Sequence, residues 1–170
     1  MNDQISVQDK ILVVIMGVMA CGKSTISSSL SKTQQWPLLE GDDFHPLANR
    51  TKMALGKPLT NEDRFPWLDA IAKAVNEYPE NWLVLACSAL NEEVRSYLAR
   101  NVDRPCKFIL LNVPKPILVQ RIQQRQGHFM PAKLLKSQFA ALELPAEAIQ
   151  IDGTLPPEQI CELIIAALNQ

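Results

Sequence analysis

The chain has 170 residues, 47% of them hydrophobic, which is enough for one well-buried core and too few for two ordinary domains. A formal net charge of −1 provides no overall field that would draw nucleic acid or an anionic membrane, so any anion site must be local. Four cysteines, Cys21, Cys87, Cys106 and Cys161, lie far apart with no C-x-x-C pair, which argues against a zinc site or a disulfide framework and for a reducing, cytoplasmic setting.

The polar start through Lys10 precedes an apolar run, Ile11 to Met16, of six residues. That run is too short for a membrane span, and the polar segment before it does not read as a secretory leader. It is continuous rather than alternating, as expected of a strand buried on both faces of a parallel sheet. Pro37 to Glu40, Trp82 to Cys87, Phe108 to Leu111 and Ala148 to Ile151 read as four further strands. Helical spacing falls between them: Leu68, Ile71, Ala72 and Val75; then Ile117 to Arg125; then Leu134 to Leu142; and at the end Ile160, Leu163, Ile164, Ala167 and Leu168. Strands alternating with helices predict a single α/β domain over 1–170, with a five-stranded parallel sheet covered by helices on both faces.

Immediately after the first strand, Gly17-Val-Met-Ala-Cys-Gly22-Lys23-Ser24 satisfies the G-x-x-x-x-G-K-[ST] pattern in the strand-loop-helix setting it requires. Its glycines let backbone amides turn inward to phosphate oxygens, and the following helix adds its positive end. The ATP-binding candidates are therefore Gly17, Val18, Met19, Ala20, Cys21, Gly22, Lys23, Ser24 and Thr25, with Lys23 on the β/γ-phosphates and the Ser24 hydroxyl on Mg²⁺. Cys21, beside Lys23 and a helix N-terminus, is expected either to be a reactive thiol or to be an inert small residue.

A phosphate loop does not by itself name a reaction. The next segment, Gly41-Asp42-Asp43-Phe44-His45-Pro46, follows the second strand and so emerges at the same sheet edge as the loop. Asp42 is the candidate to orient and deprotonate an acceptor hydroxyl; Asp43 reads better as a helix cap or turn residue, and His45 as either a site residue or a turn residue fixed by Pro46. Asn49, Lys52 and Arg64 fall in an acceptor-binding insert of about 43–80, where the Arg64 fork can clamp a carboxylate or a polyhydroxyl group, or else pair at the surface with Glu62 or Asp63. Arg121 and Arg125 share a helix face and can reach a transferring phosphoryl group, unless they are simply solvated. With Gly127-His-Phe-Met-Pro131 after them they form a lid, about 117–142, that closes on ATP.

Taken in order, Gly41-Asp-Asp-Phe-His-Pro46, Asn49-Arg-Thr-Lys-Met53, Gly56-Lys-Pro-Leu59, Asp63-Arg-Phe-Pro-Trp-Leu68, Cys87-Ser-Ala-Leu90, Gly127-His-Phe-Met-Pro131 and Ser137-Gln-Phe139 resemble the gluconokinase family of small P-loop kinases. The resemblance implies a nucleoside-monophosphate-kinase-like fold and transfer from ATP with Mg²⁺ to D-gluconate. It also implies a homodimer in many members and puts His128 with Asp42, His45, Asn49, Lys52 and Arg64 on the acceptor. Two departures stand out. Asn91 and Glu92 occupy positions where the family usually carries two lysines, and Met19, Ala20 and Cys21 replace the family's smaller loop residues. These departures leave open a retuned acceptor, such as another sugar acid or shikimate, and a nucleotide or sugar-acid sensor that no longer turns over.

Overall fold

The computed structural model describes residues 9–125 and 132–170. At its centre is β1 (Ile11–Met16), with every residue buried. Around it lie β2 (Leu38–Glu40), β3 (Trp82–Ala86), β4 (Cys106–Asn112) and β5 (Ile149–Asp152), all parallel and in the order β2-β3-β1-β4-β5. The continuous apolar run of β1 has its explanation in this order, because the strand is covered on both faces.

The side chains of β1 alternate between two cores. Ile11, Val13 and Ile15 pack with Ile26 and Leu30 of α1 (Lys23–Gln34), Leu118 of α5 (Lys115–Gln124), Leu135 of α6 (Ala132–Ala141) and Ile160, Ile164 and Leu168 of α7 (Pro157–Leu168). Leu12, Val14 and Met16 pack instead with Leu68, Ile71 and Val75 of α3 (Asn61–Glu77) and with Val94 and Leu98 of α4 (Glu92–Asn101). Buried Arg104 ties the second layer together, donating to the carbonyls of Val75, Tyr78 and Glu80, where α3 ends and the chain turns toward β3.

Three helices differ from the sequence reading. The segment after Pro46 forms a short helix, α2 (Leu47–Ala54), and α3 begins at Asn61 rather than near Leu68. The cause of the early start is a capping box: Thr60 accepts from the Asp63 amide while the Asp63 carboxylate accepts from the Thr60 amide. This start holds Pro66 inside the helix, where a proline would ordinarily break it. The third, α4, has no counterpart in the sequence reading and is capped from one side only, the Asn91 side-chain oxygen accepting from the Val94 amide at 2.9 Å.

Candidate active site

The neighbours of β1 are β3 on one side and β4 on the other, so the strand order reverses direction at β1 and a crevice opens beyond its carboxyl end. The phosphate loop fills the base of that crevice. Gly17 has φ 145°, and a Cβ there would fall 2.7 Å from Cys21 Sγ and 3.1 Å from the Leu111 carbonyl oxygen, so only glycine fits. Gly22, the N-cap of α1, is also left-handed at φ 107°. Lys23 folds back across the loop and donates to the carbonyls of Gly17 and Val18, both at 3.0 Å. Ala20 is held at φ 64°, a conformation that costs a side-chain-bearing residue about 1–2 kcal/mol.

Two contacts from distant parts of the chain hold this loop. Arg121 donates to the Ala20 and Cys21 carbonyls, both at 3.2 Å, and to the Gly153 carbonyl at 3.1 Å. Gln138 of α6 accepts from the Met19 amide at 2.6 Å. Gln138 belongs to the quoted Ser137-Gln-Phe139 motif, but a lone glutamine on a helix gives no sequence signal of what it will touch.

The acceptor side is built on a 3-10 turn, Gly41–Phe44, at the end of β2. Gly41 lies so close to β3 that a Cβ would sit 2.5 Å from the Ala86 carbonyl oxygen. Trp67 of α3 fixes the turn from beneath: its Nε1 donates to the Gly41 carbonyl at 2.7 Å, and its ring stacks on His45 at 4.2 Å between centroids. Asp42, between these two anchors, has a side chain 74% exposed and open to the crevice. His45 is buried, and its Nε2 lies 3.9 Å from Asp42 Oδ1. Burial pushes its pKa down, with the Asp42 charge opposing, so the ring is neutral near pH 7. Asn49 donates from Nδ2 to the Asp63 carbonyl at 2.8 Å and lies 3.3 Å from His45 Nδ1. That amide assigns the acceptor state to Nδ1 and the ring hydrogen to Nε2, facing Asp42.

Glu40, the last residue of β2, is a site residue that sequence reasoning missed, because a single carboxylate at a strand end has no motif of its own. Burial raises its pKa, partly offset by a hydrogen bond with Ser24. It therefore brings a second oxygen donor to the Ser24 side of the crevice.

A cavity of about 550 Å³ joins the two halves. It gathers Met19, Ala20, Gly22, Lys23, Ser24 and Thr25 from the loop, Asp42, His45 and Arg64 from the acceptor side, and Arg125 from the end of α5. Among the described residues, the other candidates do not line it. Gly17, Val18 and Cys21 are buried within the loop. Asn49 braces His45, and Lys52 makes an ion pair with Asp63 at 2.5 Å. That bond, first among several, holds the Asp63 carboxyl down at about 2. Arg64 does not pair with Glu62 or Asp63; its Nη1 donates to Asn61 Oδ1 at 3.1 Å, and burial lowers its pKa. Asn91 and Glu92 also lie outside this cavity: Asn91 caps α4, and Glu92 pairs with Arg95 at 3.2 Å. Cys21 is 1% exposed, with its sulfur against Gly17 and 4.0 Å from Lys23 Nζ. Packing shields the thiol, which in this conformation favours the inert small residue over the reactive thiol. His128 and the Gly127–Pro131 break lie outside the described residues.

Comparison with known proteins agrees with this geometry. A family model described as Shikimate kinase matches residues 19–168. A gluconokinase of Gluconobacter oxydans (strain 621H) is 40% identical over 158 residues, covering 90% of this chain and 88% of that protein. A gluconokinase of Arabidopsis thaliana is 38% identical over 171 residues, covering 91% and 90%. The crystal structure of a gluconokinase from Sinorhizobium meliloti 1021 superposes with a TM-score of 0.82 at 34% identity, covering 95% of this chain and 92% of that one. The chain is a phosphotransferase of the shikimate kinase family and belongs, within it, to the gluconokinases.

Proposed function

We propose that this protein transfers the γ-phosphoryl group of ATP to the primary hydroxyl of D-gluconate, giving ADP and 6-phospho-D-gluconate. The observation that carries the reading is the shared cavity, in which Lys23 and Ser24 of the phosphate loop face Asp42 and the Arg64 guanidinium. An anion-binding loop thus meets a carboxylate base and a planar cation suited to a sugar-acid carboxylate.

In this account the loop amides and Lys23 hold the triphosphate. Asp42 orients the acceptor hydroxyl and takes its proton, while Nε2–H of neutral His45 steadies the Asp42 carboxylate. Arg64 clamps the acceptor carboxylate. Arg125, lining the cavity, stabilises charge on the transferring group, whereas Arg121 positions the phosphate loop through its carbonyls. The donor set around Ser24, a hydroxyl with the Glu40 and Asp42 carboxylates nearby, suits a hard, partly hydrated Mg²⁺. Among the described residues no group of three or more His, Cys, Asp or Glu is placed to hold a metal ion. Ser24, with Glu40 and Asp42 nearby, would hold the ion, whose chemistry there would be neutralisation of phosphate charge.

The same reading takes residues of about 43–80 as the acceptor-binding insert and about 117–142, with His128, as the lid. It makes the protein a cytoplasmic homodimer with no nucleic-acid partner; among the described residues no helix is long and apolar enough to cross a membrane. The intact loop geometry favours an active kinase over a sensor. Incubation with MgATP and D-gluconate, followed by ³¹P nuclear magnetic resonance, tests the proposal. A phosphomonoester at C6 is expected. Phosphorylation of shikimate instead, or ATP binding with no product from any sugar acid, would overturn it.

A further inference from the structure

The first turns of α3 and α4 meet beside the acceptor half of the cavity, through two asparagines that belong to no catalytic motif. Asn61, the first residue of α3, presents Oδ1 to two donors: Arg64 Nη1 at 3.1 Å and Asn91 Nδ2 at 3.2 Å. Both lone pairs of that oxygen are therefore filled. The amide of Asn61 also donates to Glu93 Oε2, fixing which way the side chain points. Asn91 is fixed in turn, because its own oxygen caps α4 at the Val94 amide, 2.9 Å away. Neither asparagine lines the cavity, whereas Arg64 does.

We infer that Asn91 and Asn61 are positioning residues for acceptor specificity, a two-amide relay that holds the Arg64 guanidinium where it receives the substrate carboxylate. The inference rests on the sugar-acid reading above. A guanidinium binds a carboxylate through two parallel bonds only when its plane is set, and a long side chain held at one nitrogen loses far less freedom on binding than a free one. A lysine at position 91 would bring a second cation close to Arg64, but would remove the α4 cap and replace the short, capped amide donor to Asn61 by a long, flexible ammonium. Asparagine at this position thus gives up a point charge and gains a fixed fork. The departure from the family pattern reads as a change in how the carboxylate is held, without loss of the site.

The test is steady-state kinetics on Asn91→Ser and Asn91→Thr, each of which keeps a side-chain oxygen for the α4 cap and removes the amide donor. With D-gluconate, KM should rise about three- to ten-fold, the worth of one ordinary hydrogen bond, with kcat and the KM for ATP within about two-fold of wild type. The same substitutions made on Arg64→Gln should add almost nothing further, because the relay acts only through the arginine. Unchanged KM in both variants, or an equal penalty in the Arg64→Gln background, would overturn the relay while leaving the kinase reading intact. If the wild type uses a different sugar acid, the same series is read with that acid. Silence with every sugar acid would overturn both readings.

Discussion

Replacing Gly41 by alanine should damage stability and catalysis together, because this residue joins the sheet to the acceptor turn. An added Cβ would lie 2.5 Å from the Ala86 carbonyl oxygen and 3.4 Å from Cys87 Cβ. The first contact is with backbone at the end of a fully paired strand, so no flexible side chain can swing away. Relief requires β3 and the turn to part by about 1 Å, at a cost of about 1–3 kcal/mol for overpacking. The same movement strains the 2.7 Å bond from Trp67 Nε1 to the Gly41 carbonyl, and a buried indole left without its acceptor adds about 1–3 kcal/mol. The expected total is about 2–6 kcal/mol, which urea unfolding followed by tryptophan fluorescence would read as a lower midpoint. Asp42 is the next residue, and a displacement of that size at a reacting group can cost on the order of 10² in rate. Asn49→Ala, which leaves the Gly41 contact untouched, serves as the comparison. A Gly41→Ala protein within about 0.5 kcal/mol of wild type, with normal kcat, would refute the claim that this approach positions the site.

Other outcomes follow from the same geometry. Asp42→Asn should lower kcat by on the order of 10² with little change in ATP affinity, measured by coupled ADP release; near-normal turnover removes Asp42 as the base. His45 is protonated at lower pH in the folded chain than at its ordinary value of 6.5, so between those two values the unfolded chain holds more protons. Stability should accordingly fall as pH drops below about 6.5 and level off once His45 itself protonates. Urea midpoints should show a shallower decline in His45→Gln, and identical slopes would rule out this histidine as the source. Cys21, at 1% exposure, should react with iodoacetamide far more slowly in the native protein than in urea. Rapid native labelling that MgATP prevents would show that the loop opens readily.

Much of this architecture was legible because hydrophobic runs and the phosphate loop each carry a strong local signal. β1 and the loop after it were readable from Ile11 to Ser24 alone, since a parallel strand covered on both faces must be continuously apolar. Helix α2 and the early start of α3 were less so. The first turn of α3 is polar and Pro66 follows in its second, and the deciding signal for its start was the Thr60–Asp63 box rather than any periodicity. The site divided along similar lines. Lys23, Ser24 and Asp42 were identifiable by residue type and by their place at the sheet edge, and Arg64 by its planar fork within the insert after it. The jobs of Arg121, Gln138, Asn49 and Asn61 depend on contacts that only the folded chain creates. Gln138 and Met19 are 119 residues apart, and Arg121 and Ala20 are 101 apart. Lys52 illustrates the converse: its residue type suggested an anion ligand, whereas its charge is already matched by Asp63.

The most direct test of the central claim is the ratio of kcat/KM for D-gluconate to that for shikimate, measured with MgATP on the wild-type protein. The cavity that Asp42, Lys23 and the Arg64 fork line together predicts a ratio well above about 10², the scale of discrimination expected when an acceptor's polar groups must each meet a partner. A ratio near or below one would contradict the account.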